Sequence, residues 1–298
     1  MKKIEVLNNS YEKLKSANIA GIEMDAQRLL AYALNISFND LVKVKEIDEK
    51  SLKTFEKLVL DRCKHVPMDC LLGGTDFYNI HIPFNKSTLT PRQETEFLVD
   101  RVVIDIKNMW KQTDLKHEPH PITVLDLCTG SGCVGIALAN ATGVNVTMSD
   151  ISKSAIKIAK NNNTLNNKTR AEKLLPAINP NFVLSDMFEN IKCKFDIIVC
   201  NPPYICSSEL NKLEIEVRDF DPALALDGGK DGLDFYKIIA SKASRYLENG
   251  GTLYLEIGIN QSDKIVKLLD KHFDNIKVIK DLAGIDRFII AKKRENNA

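Results

Sequence analysis

Asn201-Pro202-Pro203-Tyr204 follows directly on the apolar run Phe195-Asp196-Ile197-Ile198-Val199-Cys200. The run has the length and β-branched content of a buried strand. Two prolines cannot extend it, so the tetrapeptide must leave the sheet at the strand's carboxyl end, the edge at which open α/β sheets bind ligands. The rigid Pro-Pro segment frees the carbonyls of Asn201 and Pro202 from ladder duty and, with the Asn201 side-chain oxygen, sets out acceptors in a fixed array. Such an array can hold an amide or amino NH2 group by both hydrogens, and Tyr204 adds a flat face for stacking. The chemistry this suits is methyl transfer to a planar nitrogen. Taken alone, the four residues also describe a proline-rich turn with a buried tyrosine.

The context favours chemistry. Val124-Leu125-Asp126-Leu127-Cys128-Thr129-Gly130-Ser131-Gly132 followed by Cys133 to Leu138 reads strand, glycine turn, helix. Gly130 and Gly132 let the backbone approach a ligand, and a helix N-terminus follows them. A second strand, Val144 to Met148, ends in Ser149-Asp150 and places a carboxylate about twenty residues after the turn, where a ribose diol lies in such a unit. Asp126 beside the loop favours a ligand with cationic groups, such as the amino group and sulfonium of S-adenosylmethionine. A third strand, Phe182 to Leu184, leads to Ser185-Asp186-Met187. There Asp186 can accept from an adenine amine, and Met187 offers a polarizable surface or simply packs in the core.

With these residues in view, the chain resembles the release factor glutamine methyltransferase family (PrmC/HemK), class I enzymes that methylate the side-chain amide of the glutamine in the Gly-Gly-Gln motif of peptide chain release factors. The resemblance covers most of the chain. It also includes Thr90-Pro91-Arg92-Gln93-Glu94-Thr95-Glu96, Val217 to Gly229, Asp231-Gly232-Leu233-Asp234, Leu255-Glu256-Ile257-Gly258 and Asp281-Leu282-Ala283-Gly284. It implies that Cys128, Thr129, Gly130, Ser131 and Gly132 line the methionine end of S-adenosylmethionine, with S-adenosylhomocysteine as product. By the same resemblance Asp150 binds the ribose, and Asp186, Met187 and Asn201 complete the cofactor site. Asn201, Pro202, Pro203 and Tyr204 would hold the glutamine, with Asn201, Pro202 and Tyr204 as the catalytic set. Met187 stands where some members place an aromatic residue, and Cys128 in place of glycine is tolerable if its backbone dihedrals are ordinary. Arg92, Glu94 and Glu96 fall in a family block, but their reading as an acidic helix N-terminus is nearly as good, and no catalytic role is assigned to them.

The nucleophile dictates the rest. An amide nitrogen delocalises its lone pair into the carbonyl and must lose planarity to attack. If the Asn201 oxygen and the Pro202 carbonyl each accept one N–H, they orient the nitrogen and stabilise the charge growing on it. No prior base is needed, and the motif contains none. Two other substrates use similar parts: a glutamine of a large-subunit ribosomal protein, and an exocyclic amine of nucleic acid. A silent binding module that keeps the fold is a third reading, and it predicts damage to the turn or tetrapeptide.

These motifs require an α/β fold, a class I S-adenosylmethionine-dependent methyltransferase (Rossmann-like) sheet with an antiparallel edge pair, preceded by a small N-terminal helical domain. Ile22, Ala26, Leu29, Leu30, Ala33 and Leu34 share a helical face, as do Leu52, Phe55, Leu58, Val59 and Cys63. The expected organisation is a helical substrate-recognition domain over 1–66, a hairpin-like connector over 67–90 and the methyltransferase domain over 91–298. Pro91 should open a helix reaching about Trp110, and Lys111 to Pro121 reads as a loop. Asn161 to Asn167 reads as a helix end and loop, and the stretch after Tyr204 as a long loop. Formal net charge is +1, with twelve basic and twelve acidic residues up to Asn85, so no basic arm for stable nucleic acid binding stands out. Seven cysteines without a Cys-x-x-Cys pair read as reduced core residues. The five scattered histidines, His117 and His120 included, give no metal site. Without a signal peptide or membrane-length apolar run, the expectation is a cytoplasmic monomer whose partners are release factors.

Overall fold

The computed structural model describes residues 1–112 and 121–295; the expected loop around His117 and His120 lies outside the described residues. Two compact units are present: Met1–Thr75 with Glu214–Phe220, and Asp76–Leu213 with Asp221–Ala298.

The first unit packs the helices Lys3–Ser16, Ile22–Ala33 and Glu49–Arg62 around Leu14, Ala26, Leu29, Leu30, Phe55 and Val59. Asp48 starts the third helix by accepting from the Ser51 N–H at 2.9 Å. Its last residue, Arg62, is buried and makes two ion pairs at 2.7 Å, through Nε to Asp25 Oδ2 and through Nη1 to Glu216 Oε1. The second pair brings the short helix Ile215–Arg218 into this unit. The chain after Tyr204 therefore contributes a piece to the helical unit, where the sequence suggested only a loop.

The second unit holds a two-stranded hairpin, β1 (Thr75–Phe77) and β2 (Ile80–Ile82), and a seven-stranded sheet. The sheet's strands are β3 (Thr123–Leu127), β4 (Asn145–Asp150), β5 (Asn181–Leu184), β6 (Phe195–Cys200), β7 (Leu247–Glu256), β8 (Phe273–Lys280) and β9 (Asp286–Lys293). Their order is β5-β4-β3-β6-β7-β9-β8, with β9 antiparallel to both β7 and β8 and the other pairs parallel. Period-two alternation separates two cores. Val124, Val146, Ile197, Val199, Tyr254 and Ile290 face the helices Gln93–Gln112 and Cys133–Thr142. Leu125, Leu127, Ile198, Leu253, Leu255 and Ile289 face Asp234–Lys242 and Ser262–Leu269.

Two elements depart from the sequence reading. The helix Gln93–Gln112 begins two residues after Pro91. The asparagine patch lies inside the helix Lys153–Glu172, not at its end. Asparagine usually favours turns because its side chain competes for backbone groups. Here those side chains bond outside the helix: Asn162 Nδ2 donates to the carbonyls of Pro83 and Ser131 at 2.9 and 2.8 Å, and Asn167 exchanges two bonds with Ile178. Of the seven cysteines, all free, Cys200 alone is fully buried and Cys193 is exposed, which corrects their assignment to the core. Among the described residues no helix is long and apolar enough to cross a membrane.

Removing a buried ion-pair partner strands the remaining charge. Arg62→Ala is expected to lower unfolding stability by about 3 kcal/mol, read from urea transitions by far-UV circular dichroism. A change within about 0.5 kcal/mol, the range of ordinary surface substitutions, would contradict the role assigned to Arg62.

Candidate active site

The sheet reverses its winding between β3 and β6, and such a switch point opens a crevice at the carboxyl ends of the two strands. The register pairs Leu127 with Cys200, so Cys128 and Asn201 leave the sheet side by side. Leu127 also pairs with Ser149, which brings Asp150 to the same edge. A cavity of about 560 Å³ occupies this edge. Cys128, Thr129, Gly130, Ser131, Asp150, Asp186, Met187, Asn201 and Pro203 line it.

The glycine turn is built around Asp126. One carboxylate oxygen of this buried residue accepts from Thr129 Oγ1 and from the Gly135 N–H at 2.9 Å. A Cβ on Gly135 would lie 2.8 Å from that oxygen and 2.7 Å from Met148 Cε, so only glycine lets the helix close onto the carboxylate. Gly132 starts the helix at φ +82°, and a Cβ there would lie 2.9 Å from Ala159 Cβ. Gly132 falls outside the cavity lining, so what requires glycine there is helix packing. Desolvation pushes the Asp126 carboxyl up to about 7, against the bonds from Thr129 and Gly135.

Cys128 adopts φ +60°, so its dihedrals are left-handed and not ordinary. A side chain there costs on the order of 1–2 kcal/mol. Met187, also left-handed at φ +45°, meets it with sulfur atoms 3.8 Å apart, forming one wall of the cavity. Asp186 next to it is exposed. Each Asp150 oxygen accepts a backbone N–H, from Gly130 at 2.9 Å and Ser152 at 2.8 Å. Each oxygen retains acceptor capacity. Burial raises its pKa, opposed by those same bonds.

Along the tetrapeptide, Asn201 and Pro203 line the cavity, while Pro202 and Tyr204 fall outside its lining. No donor among the described residues reaches the Pro202 carbonyl. Tyr204 packs partly buried against the second core, and its carbonyl accepts from Gln261 Nε2 at 2.9 Å. Burial lifts its hydroxyl to about 12.

Two sets of residues were not assigned roles from the sequence. Arg92 lines the cavity and pairs with the buried Asp221 at 2.5 Å, whose other oxygen accepts from the Thr90 N–H and hydroxyl. Glu94 is exposed and, like Glu96, lies outside the lining. Beside Asn201, Thr95 also lines the cavity; its Oγ1 donates to the buried Glu256 at 2.6 Å, and Asn201 Nδ2 approaches Thr95 Oγ1 at 3.5 Å. Burial pushes the Glu256 carboxyl up to about 7, opposed mainly by Thr95 and by the Arg287 charge. In the sequence it stands in the block Leu255-Glu256-Ile257-Gly258, a glutamate closing an apolar strand, and nothing local assigns it a role.

Comparison with known proteins agrees over both units. Residues 5–73 match the family described as PrmC N-terminal domain, and residues 112–217 match Methyltransferase small domain. The release factor glutamine methyltransferase of Thermodesulfovibrio yellowstonii is 36% identical over 91% of this chain and 93% of its own length. A bifunctional methyltransferase of Rickettsia conorii is 34% identical over 96% of this chain, which spans 57% of that longer protein. Among solved structures, the hMettl16 catalytic domain in complex with a 3'UTR hairpin has a TM-score of 0.53 at 15% identity, covering 80% of this chain and 83% of its own. That likeness concerns the fold alone.

Gly135→Ala should cost about 1–3 kcal/mol of unfolding stability through overpacking against Asp126 and Met148; a neutral result in urea titration would contradict the close approach. Cys128→Val should be less stable than Cys128→Gly by about 2 kcal/mol, because a β-branched side chain resists positive φ. Equal stabilities would contradict the left-handed assignment. Glu256, raised from 4.5 to about 7, holds its proton more tightly folded than unfolded. Its contribution to stability is fully present below about 4.5 and is lost as pH rises to about 7. The stability difference between wild type and Glu256→Gln should therefore fall across that window in urea transitions, whereas a flat difference would show that Glu256 does not titrate there.

Proposed function

The chain belongs to the release factor glutamine methyltransferase family, and from that premise we propose that it methylates the side-chain amide nitrogen of the glutamine in the Gly-Gly-Gln motif of peptide chain release factors, using S-adenosylmethionine. One observation carries this reading. Asn201 leaves the switch point with its NH2 directed at Thr95, while the residue lines the cavity shared with the glycine turn.

The residues present suit S-adenosylmethionine. The cavity volume falls within the few hundred to a thousand Å³ usual for small-molecule sites. Asp126 offers a negative group for the ammonium and sulfonium, Asp150 two acceptors for the ribose diol, and Asp186 with Met187 an edge and a face for adenine. Cys128, Thr129, Gly130, Ser131 and Gly132 supply the turn around the methionine end. Ser149 Oγ and Thr88 Oγ1, both buried in the lining, have no hydrogen-bond partner among the described residues and leave polar capacity for a ligand. When bound, S-adenosylmethionine supplies an electrophilic methyl group on its sulfonium.

The chain's own residues then orient the nucleophile. Asn201 Oδ1 and the Pro202 carbonyl each accept one N–H of the glutamine amide, holding the nitrogen in line and stabilising its growing positive charge. No base need act first, and the extra proton leaves the nitrogen afterwards. Pro203 walls the approach, and Tyr204, partly solvent-facing, flanks the planar amide. The helical unit, whose N-terminal part matches the PrmC N-terminal domain, grips the protein substrate. The boundaries 1–66, 67–90 and 91–298 remain the proposed functional division, with the connector between recognition and chemistry.

Labelled S-adenosylmethionine should mark a purified release factor and spare its Gly-Gly-Gln glutamine-to-alanine variant; label confined to a ribosomal protein or nucleic acid would overturn the substrate assignment. Asn201→Ala should lower the single-turnover rate at saturating substrate by about 10²–10³-fold, the scale of losing one transition-state hydrogen-bond partner. An unchanged rate would remove Asn201 from the chemistry.

A further inference from the structure

Asn201 can present either end of its amide to the cavity, and the two ends have opposite effects on an incoming NH2. The choice is made by Thr95, which lines the same cavity, and by Glu256, which lies outside its lining. Glu256 closes β7 on the same face as Tyr254, and the helix Gln93–Gln112 crosses that face, setting Thr95 over Glu256 and Asp105 over Tyr254. A hydroxyl has one proton to give. With Glu256 ionised, Thr95 spends that proton on the carboxylate at 2.6 Å, and its oxygen can then only accept from Asn201. Asn201 must turn its NH2 toward Thr95, and its oxygen is left for the cavity.

We propose that Thr95 and Glu256 form a polarity relay in which the ionised Glu256 fixes the Asn201 amide with its oxygen toward the substrate, making both positioning residues for methyl transfer. Protonating Glu256 reverses the relay. The acid proton points at Thr95 Oγ1, the Thr95 proton is released toward Asn201, and the amide is favoured in the flipped orientation. That orientation sets an NH2 against the substrate's NH2. The inference rests on the proposed amide-methylating function for its catalytic consequence, though the relay itself does not.

The groups facing Glu256 are consistent with titration in the working range. Arg287 on β9 and a direct side-chain bond from Asn201 favour its ionised form; Glu94 on the helix Gln93–Gln112 opposes it; Tyr204 lies beyond β6, and Tyr236 Oη donates to the Glu256 backbone carbonyl at 2.9 Å. Cys133 and Asp126 lie on the neighbouring turn. Cys133 is held protonated by burial, its thiol raised to about 12. Asp126 is itself raised to about 7, so a variant must separate the two carboxyls.

The side-chain amide resonances of Asn201, in full-length protein labelled with ¹⁵N-asparagine and assigned by Asn201→Ala, read the relay without any substrate. They should shift with a midpoint near pH 7 in wild type. The shift should vanish in Glu256→Gln, shrink in Thr95→Val, where only the direct contact of Asn201 with Glu256 remains, and survive in full in Thr95→Ser, which keeps the hydroxyl. Resonances that do not titrate, or that titrate unchanged in Glu256→Gln, overturn the relay. In methyl transfer, Thr95→Val should lower kcat by on the order of 10–100-fold with little change in cofactor KM, and Thr95→Ser should restore most of it. An active wild type with an equally active Thr95→Val would overturn the positioning role alone. A wild type inactive on release factors, with the resonances titrating as described, would instead count against the substrate assignment and leave the relay standing.

Discussion

The parallel pairing of Leu127 with Cys200 places the glycine turn and the Asn201 tetrapeptide at neighbouring strand ends. A shift of one residue would reverse the faces of β6, moving Ile197 and Val199 out of one core and Ile198 and Cys200 out of the other. Both cores are closed by side chains from β3 and β6, so the register is held by apolar burial on two faces. The site inherits its precision from this, because Cys128 and Asn201 have no freedom beyond one residue of chain. The switch point provides the crevice, and residues immediately past the strand ends line it.

Within that frame, charge is placed where water is scarce. Asp126 and Glu256 are both buried and both raised to about 7, yet their surroundings differ. Asp126 is met by a backbone N–H and a hydroxyl that shape the turn, leaving capacity for a cationic ligand. Glu256 is met by Thr95, lies within reach of the Arg287 charge and stays outside the cavity lining. Asp221 plays a comparable structural part, tying Thr90 and Arg92 to the chain that enters Pro222. Buried polar groups of this kind are costly unless satisfied, and when satisfied they specify one arrangement.

How far the site could be read beforehand depended on chain distance. Asn201, the glycine turn and Asp150 were legible because each sits at the end of an apolar strand, and strand order follows from alternating elements. Thr95 and Glu256 are 161 residues apart, and Thr90 and Asp221 are 131 apart, so no local pattern announces either pair. The left-handed backbone of Cys128 was hidden because the residue type argues against it. The asparagine patch misled in the opposite sense: its turn propensity is real, but Asn162 and Asn167 find partners outside their helix, and tertiary bonds outweigh local preference. The inclusion of Glu214–Phe220 in the helical unit rests on Arg62, whose burial the sequence pattern does not disclose.

The central claim is that the cavity-facing oxygen of Asn201 selects an amide nitrogen of one glutamine. Tandem mass spectrometry of a release factor after a single turnover tests it most directly. The account predicts one methyl group, in fragments that contain the Gly-Gly-Gln glutamine and on its side-chain nitrogen. A methyl group on any other residue, or on the backbone of that motif, would contradict it.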